Sequence, residues 1–113
     1  MDCVFCKIVN GELPSTKLYE DDEVIAFDNI APMAKVHILI IPKKHILSCV
    51  NDVNHENSNL IARVFEVAQK LACDLGLENG YRIVTNTGKH ACQSVHHLHF
   101  HLIGGEQLSE NMA

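Results

Sequence analysis

The chain has 113 residues, 47% of them hydrophobic, and its Lys+Arg 9 against Asp+Glu 14 give a formal net charge of -5. That length and apolar content suit a single domain spanning residues 1–113. The acidic balance excludes a general nucleic-acid binder, which needs a basic face to displace counterions.

No apolar run reaches the roughly 20 residues that a bilayer-spanning helix requires. The start MDCVFCKIVNGE lacks the basic head and apolar stretch of a secretory signal, so the expectation is a cytoplasmic protein without membrane contact. Cysteine is present at Cys3, Cys6, Cys49, Cys73 and Cys92. An odd count in a chain with no export signal argues against a disulfide framework.

In chain order, DCVFCKIVN spaces Val4, Phe5, Ile8 and Val9 as a short helix capped by Asp2 and stopped by Gly11 and Pro14. Phe5 and Ile8 are its inward residues. KLYEDDEVIAFDNI reads as a hairpin, because apolar residues flank the acidic turn Glu20–Glu23. Val36 to Ile41 is the most continuously apolar run and suits a central strand ended by Pro42.

From Ser58 to Gly76, the positions Leu60, Ile61, Val64, Phe65, Ala68, Leu71, Ala72 and Leu75 recur at helical intervals. This predicts a long amphipathic helix lying over the sheet, entered at Asn54 or one of the next polar residues and left through Gly76 and Leu77. YRIVTN is the next strand, TGKHACQS a loop, and the histidine-rich VHHLHFHLI the last strand. The order lacks regular strand–helix alternation, so the fold class is α+β with a mainly antiparallel sheet.

Strand alternation puts His97, His99 and His101 on one side, with His96, Leu98, Phe100 and Leu102 on the other. At about 3.3 Å per residue the outer two imidazoles start roughly 13 Å apart, too far to share one metal easily, so the three divide their work. Cys3 and Cys6 form a C-x2-C pair, by itself half of a structural zinc site or two buried or idle thiols. A thioredoxin-like reading of CVFC lacks the preceding strand it needs. His55, His90 and His96 read as bystanders, and Lys43 and Lys44 as solvated lysines.

HLHFHLI, residues 97–103, resembles the His-φ-His-φ-His-φ-φ motif of the histidine triad (HIT) superfamily, where φ is apolar. NTGKHACQSVH resembles that family's phosphate loop and PKKH its motif after the third strand. HLIGG is similar to the HINT-type branch of purine nucleoside phosphoramidases, whereas the dinucleoside polyphosphate hydrolases usually continue with Pro-Arg.

The resemblance implies the HIT-like fold, a five-stranded antiparallel sheet with a short N-terminal helix and one long helix. It implies a hydrolase of purine nucleoside 5′-phosphoramidates or related conjugates, working through a nucleotidyl-histidine on His99. His97, His101, Ser94 and His37 complete the catalytic set. The runner-up reading is a nucleotide-binding regulatory module without turnover.

For the nucleotide, the resemblance assigns Asn86, Gln93, Ser94, His99 and His101 to the phosphate side. Asn29, with Asp28 before it, falls where the family carries an acidic residue for the ribose hydroxyls. Phe5, Ile8, Phe27 and Ile30 are candidate walls of a base slot. Cys92 stands where the family usually has Gly, which narrows the phosphate loop or exposes a thiol. Family members that complete the C-x2-C pair place a structural zinc on positions matching Cys3, Cys6, His45 and His97. The partners implied are a purine nucleotide of the AMP or GMP type and a second copy of the chain, since the family is typically a homodimer joined through its sheets.

Overall fold

A computed structural model describes residues 3–112. Helix α1 (Val4–Val9) is followed by strands β1 (Lys17–Glu20), β2 (Val24–Asp28) and β3 (Val36–Pro42). Helix α2 (Ser58–Asp74), β4 (Tyr81–Val84) and β5 (Phe100–Gly104) complete the order, with short 3-10 turns at Val50–Asp52 and Lys89–Ala91. The strands form one sheet in the order β1-β2-β3-β5-β4, every pair antiparallel. This is the α+β architecture the sequence predicts, with the apolar β3 run at the centre. Among the described residues no helix is long and apolar enough to cross a membrane.

Both faces of the sheet are covered, which is why β3 is apolar at nearly every position rather than at alternate ones. Val24, Ala26, Ile38, Ile40, Phe100 and Leu102 pack against Val64, Val67, Ala68 and Leu71 of α2. On the opposite face Ile25, Phe27, Leu39 and Ile41 pack against Phe5 of α1. The register Phe27↔Leu39 and Leu39↔His101 carries that second face across to β5.

The stripe on α2 is rotated from the expected one. Val67 is buried, whereas Phe65 and Leu75 are 46% and 41% exposed. Two asparagines prepare the entry to α2. Asn54 Oδ1 accepts from Glu56 N–H at 2.8 Å, and Asn57 Oδ1 accepts from Asn54 N–H at 2.8 Å. The exit is a Schellman motif: Leu77 N–H donates to Ala72 O, Gly76 N–H donates to Cys73 O, and Gly76 takes φ +70°. The expected cap of α1, Asp2, lies outside the described residues; Cys3 is the N-cap, its Sγ accepting from Cys6 N–H at 3.4 Å.

The strand expected through His97 and His99 begins only at Phe100. Residues 96–99 spend their backbone groups on loops and side chains instead. Leu98 N–H donates to Leu47 O, Thr85 Oγ1 donates to His99 O, and the carbonyls of His96 and His97 accept from imidazoles.

The β1–β2 turn is pinned to α2. Arg63 donates to Asp21 Oδ2 through Nε at 3.0 Å and Nη2 at 2.8 Å, and also to the Tyr19 hydroxyl, which itself donates to Asp21 at 2.8 Å. Asp21 Oδ1 accepts from Glu23 and Val24 N–H. Burial alone would raise the Asp21 pKa, but these donors hold it well below the usual carboxylate range. Its contribution to stability is therefore complete above the unfolded value near 3.9 and is lost as pH falls through the lower folded value. Asp21→Asn is expected to cost about 2 kcal/mol at neutral pH and to flatten the acid limb of the stability curve. Urea melts of both proteins from pH 1.5 to 7 measure this.

Candidate active site and metal cluster

His99 and His101 open into a cleft of about 370 Å3 between α1, the β2–β3 connection and the loop before β5. Val4, Phe5, Ile8, Phe27 and Leu39 form its apolar side, and Asp28, Asn29, Ser94 and the two histidines its polar side. Thus Phe5, Ile8, Phe27, Asp28, Asn29, Ser94, His99 and His101 gather at one site. Ile30 also lines it but is 98% exposed, a rim residue rather than a buried wall.

The imidazole tautomers follow from their partners. His99 Nδ1 lies 2.7 Å from His97 O and must donate to it, which leaves the lone pair on Nε2. Burial pushes the His99 pKa below the ordinary value, against the His97 carbonyl, which favours the charged form. The ring of Phe5 sits edge-on to His99 with centroids 5.0 Å apart.

A second chain fixes His101. Met33 N–H donates to His37 Nδ1 at 2.9 Å, so His37 carries its proton on Nε2 and donates to His101 Nδ1 at 2.8 Å. His101 is left with Nε2–H as its free donor. Burial, followed by the like charges that His99 and His37 would carry, pushes the His101 pKa down to about 4. His37 comes from β3 opposite Ile103, one diagonal step from His101 on the same face.

Asn29 Oδ1 accepts from Ala31 N–H at 2.8 Å, and its Nδ2 stands 3.3 Å from His37 Nε2. Both of those nitrogens carry hydrogen, so the contact is not a hydrogen bond and Nδ2 keeps its donors for a ligand.

Two residues matched to the phosphate side stand outside the cleft lining. Asn86 Nδ2 donates to Ala91 O at 2.9 Å and braces the 3-10 turn. Gln93 Oε1 accepts from Gly88 N–H at 2.9 Å, while its Nε2 donates to Ser48 O at 2.7 Å and Val95 O at 3.2 Å. Gln93 thereby ties the loop around Gly88, whose φ of +83° suits glycine, to the segment after PKKH.

Cys92 takes the left-handed conformation, φ 61° and ψ 37°, and its side chain is exposed. A residue with a Cβ is strained there, which explains glycine as the family's usual choice. Cys92→Gly is expected to raise stability by up to about 1 kcal/mol, read as an upward shift of the thermal midpoint.

His97 turns away from the cleft. Its Nε2–H donates to Pro42 O at 2.7 Å, and its Nδ1 faces Cys3 Sγ at 3.5 Å and Cys6 Sγ at 3.7 Å. His45 does the same, Nε2–H donating to His96 O at 2.6 Å and Nδ1 facing Cys6 Sγ at 3.3 Å. The four donor atoms lie within 4.8 Å of one another, a set able to hold a metal ion. His55, His90 and His96 are exposed, whereas Lys43, expected as a solvated lysine, is half-buried and pairs with Glu20 at 2.8 Å.

A five-stranded antiparallel sheet whose His-x-His-x-His run sends His99 and His101 into an apolar cleft and His97 to the thiol pair defines the histidine triad class. The HIT domain profile matches residues 10–108, and the chain belongs to that family. Among curated proteins it is 44% identical over 109 residues to the 14 kDa zinc-binding protein of Brassica juncea, covering 96% of each chain. It is 43% identical over 113 residues to the purine nucleoside phosphoramidase of Escherichia coli K12, covering 99% of this chain and 94% of that one. Among solved structures, a HIT family hydrolase from Clostridium thermocellum superposes with a TM-score of 0.94 at 49% identity, over 99% of this chain and 97% of the other.

Proposed function

We propose that this protein hydrolyses purine nucleoside 5′-phosphoramidates or related nucleotide conjugates, with His99 as nucleophile. The observation that carries the reading is the His99 tautomer. With Nδ1–H committed to the His97 carbonyl, a neutral Nε2 lone pair opens into the cleft beside Ser94 and His101. The phosphoramidase relative, matched over nearly the whole chain, supports the substrate class.

In this reading, Nε2 of His99 attacks the α-phosphorus and the P–N bond to the amine breaks. Ser94 and His101 Nε2–H meet the phosphate oxygens and the departing nitrogen. His101, neutral and held through Nδ1 by His37, keeps Nε2–H directed at the departing nitrogen; that nitrogen leaves with a proton from solvent, and the water of the second step returns one to solvent. Water then displaces His99, giving nucleoside 5′-monophosphate and amine with net retention at phosphorus. The apolar side of the cleft takes the base and the Asn29 amide faces the ribose.

The cluster of Cys3, Cys6, His45 and His97 fits zinc, since two thiols and two imidazole lone pairs converge and both Nε2–H groups are anchored on carbonyls. Bound there, zinc would be structural, closing a four-ligand site between α1 and the triad. A homodimer follows the same resemblance: β4 is an edge strand, and its Tyr81 is 42% exposed.

The test is release of amine from adenosine 5′-phosphoramidate by purified protein. Because burial lowers the His99 pKa, kcat/KM is expected to hold at pH 6.5, the ordinary histidine value, and to fall only in more acidic buffer. Tight AMP binding without turnover would favour the regulatory-module reading instead.

A further inference from the structure

Metal ligands and cleft walls alternate on one short element. Cys3 and Cys6 face the cluster, while Val4, Phe5 and Ile8 line the cleft. Helix α1 has six residues, too few to be stable by itself, so its position depends on what holds it. The holds are the packing of Phe5, with Ile8 and Val9 beside it, and the cluster. Thiol–imidazole contacts of 3.3 to 3.7 Å are weak as hydrogen bonds, whereas coordination of a shared ion would fix the same four groups firmly.

His97 belongs to both sites. Its Nδ1 faces the thiols and its carbonyl orients the His99 ring. Phe5 spans the same gap, its ring edge-on to His97 at 5.9 Å, His99 at 5.0 Å and Phe27 at 5.9 Å between centroids. Any shift of α1 therefore reaches the cleft wall and the nucleophile together.

We propose that the Cys3/Cys6/His45/His97 cluster and the nucleotide cleft are one cooperative unit, in which metal in the cluster sets the cleft wall and His99, and a bound nucleotide in turn retains the metal. This rests on the cleft being the nucleotide site. Linkage makes the effect reciprocal, with the same factor in both directions.

The test uses the full chain loaded with Zn2+. AMP is titrated calorimetrically before and after stripping, and the share of zinc the protein holds against a chromophoric chelator is measured with and without saturating AMP. The expected result is about tenfold weaker AMP binding to the stripped protein and zinc held tighter by the same factor when AMP is present. Phe5→Leu should retain zinc and shrink both factors.

Equal AMP affinities together with AMP-independent zinc retention overturn the proposal, and so does a protein that retains no zinc. If AMP binds neither form while zinc is held, the nucleotide reading itself has failed. Should circular dichroism show the stripped chain unfolded, the chelator measurement decides, because it starts from folded protein.

Discussion

His99→Ala is expected to lower turnover of adenosine 5′-phosphoramidate by about 10,000-fold or more, while AMP still binds. Alanine removes the attacking nitrogen and leaves the carbonyl of His97 without its imidazole donor. The apolar wall, Ser94 and His101 stay in place, so the loss falls on kcat rather than on nucleotide affinity. A covalent nucleotide adduct should be trapped in the unmutated protein by an alkaline denaturing quench, because its phosphorus–imidazole bond is labile in acid, and should be absent from the variant. Equal rates in the two proteins would sink the mechanism.

Gln93→Ala carries the second large effect. One side chain serves three partners, Gly88 N–H, Ser48 O and Val95 O, and no neighbouring group replaces it once it is cut back. The loss is expected to cost about 3 kcal/mol of stability. Release of the loop also shifts Ser94, and a displacement of about 1 Å there is worth roughly 100-fold in rate. Gln93→Glu separates the contributions: it keeps the acceptor for Gly88 and loses the donor to Ser48 and Val95. Chemical denaturation together with steady-state kinetics measures both; a variant with unchanged stability and rate would show that the loop holds without this residue.

Much of the architecture is legible because it obeys short periods. The apolar run of β3 marks a strand covered on both faces, and the alternation from Leu98 to Leu102 separates the cleft side from the α2 side before any pairing is known. Gly76 and Leu77 announce the end of α2. What escapes the sequence lies at longer range.

The strand expected through His97 and His99 does not form there because the backbone partners of Leu98, His99 and His96, which are Leu47, Thr85 and His45 respectively, come from distant segments. Phe65 fits an apolar stripe by spacing, yet the helix is turned so that Val67 takes the buried place. Helical spacing alone fixes the stripe only to within a residue or so. Asp21 reads as a turn residue, and nothing local reveals that Arg63 reaches it across 42 positions. Gln93 shows the same limit: its motif is legible, but the three bonds that occupy its side chain are not. At Cys92 the departure from glycine is visible in the sequence, while the left-handed backbone that gives it meaning is visible only in the fold.

The pairing of β3 with β5 joins His37 to His101 across 64 positions, and the intervening chain contributes α2 and β4 before the two strands can meet. Closing a loop of that length carries an entropic penalty that only the finished sheet repays, which places this pairing among the later events of folding. A chain emerging during synthesis therefore has its cleft wall and its first imidazole long before it has a partner for them. Competence for chemistry requires the last strand, so the appearance of turnover during refolding would report completion of the sheet.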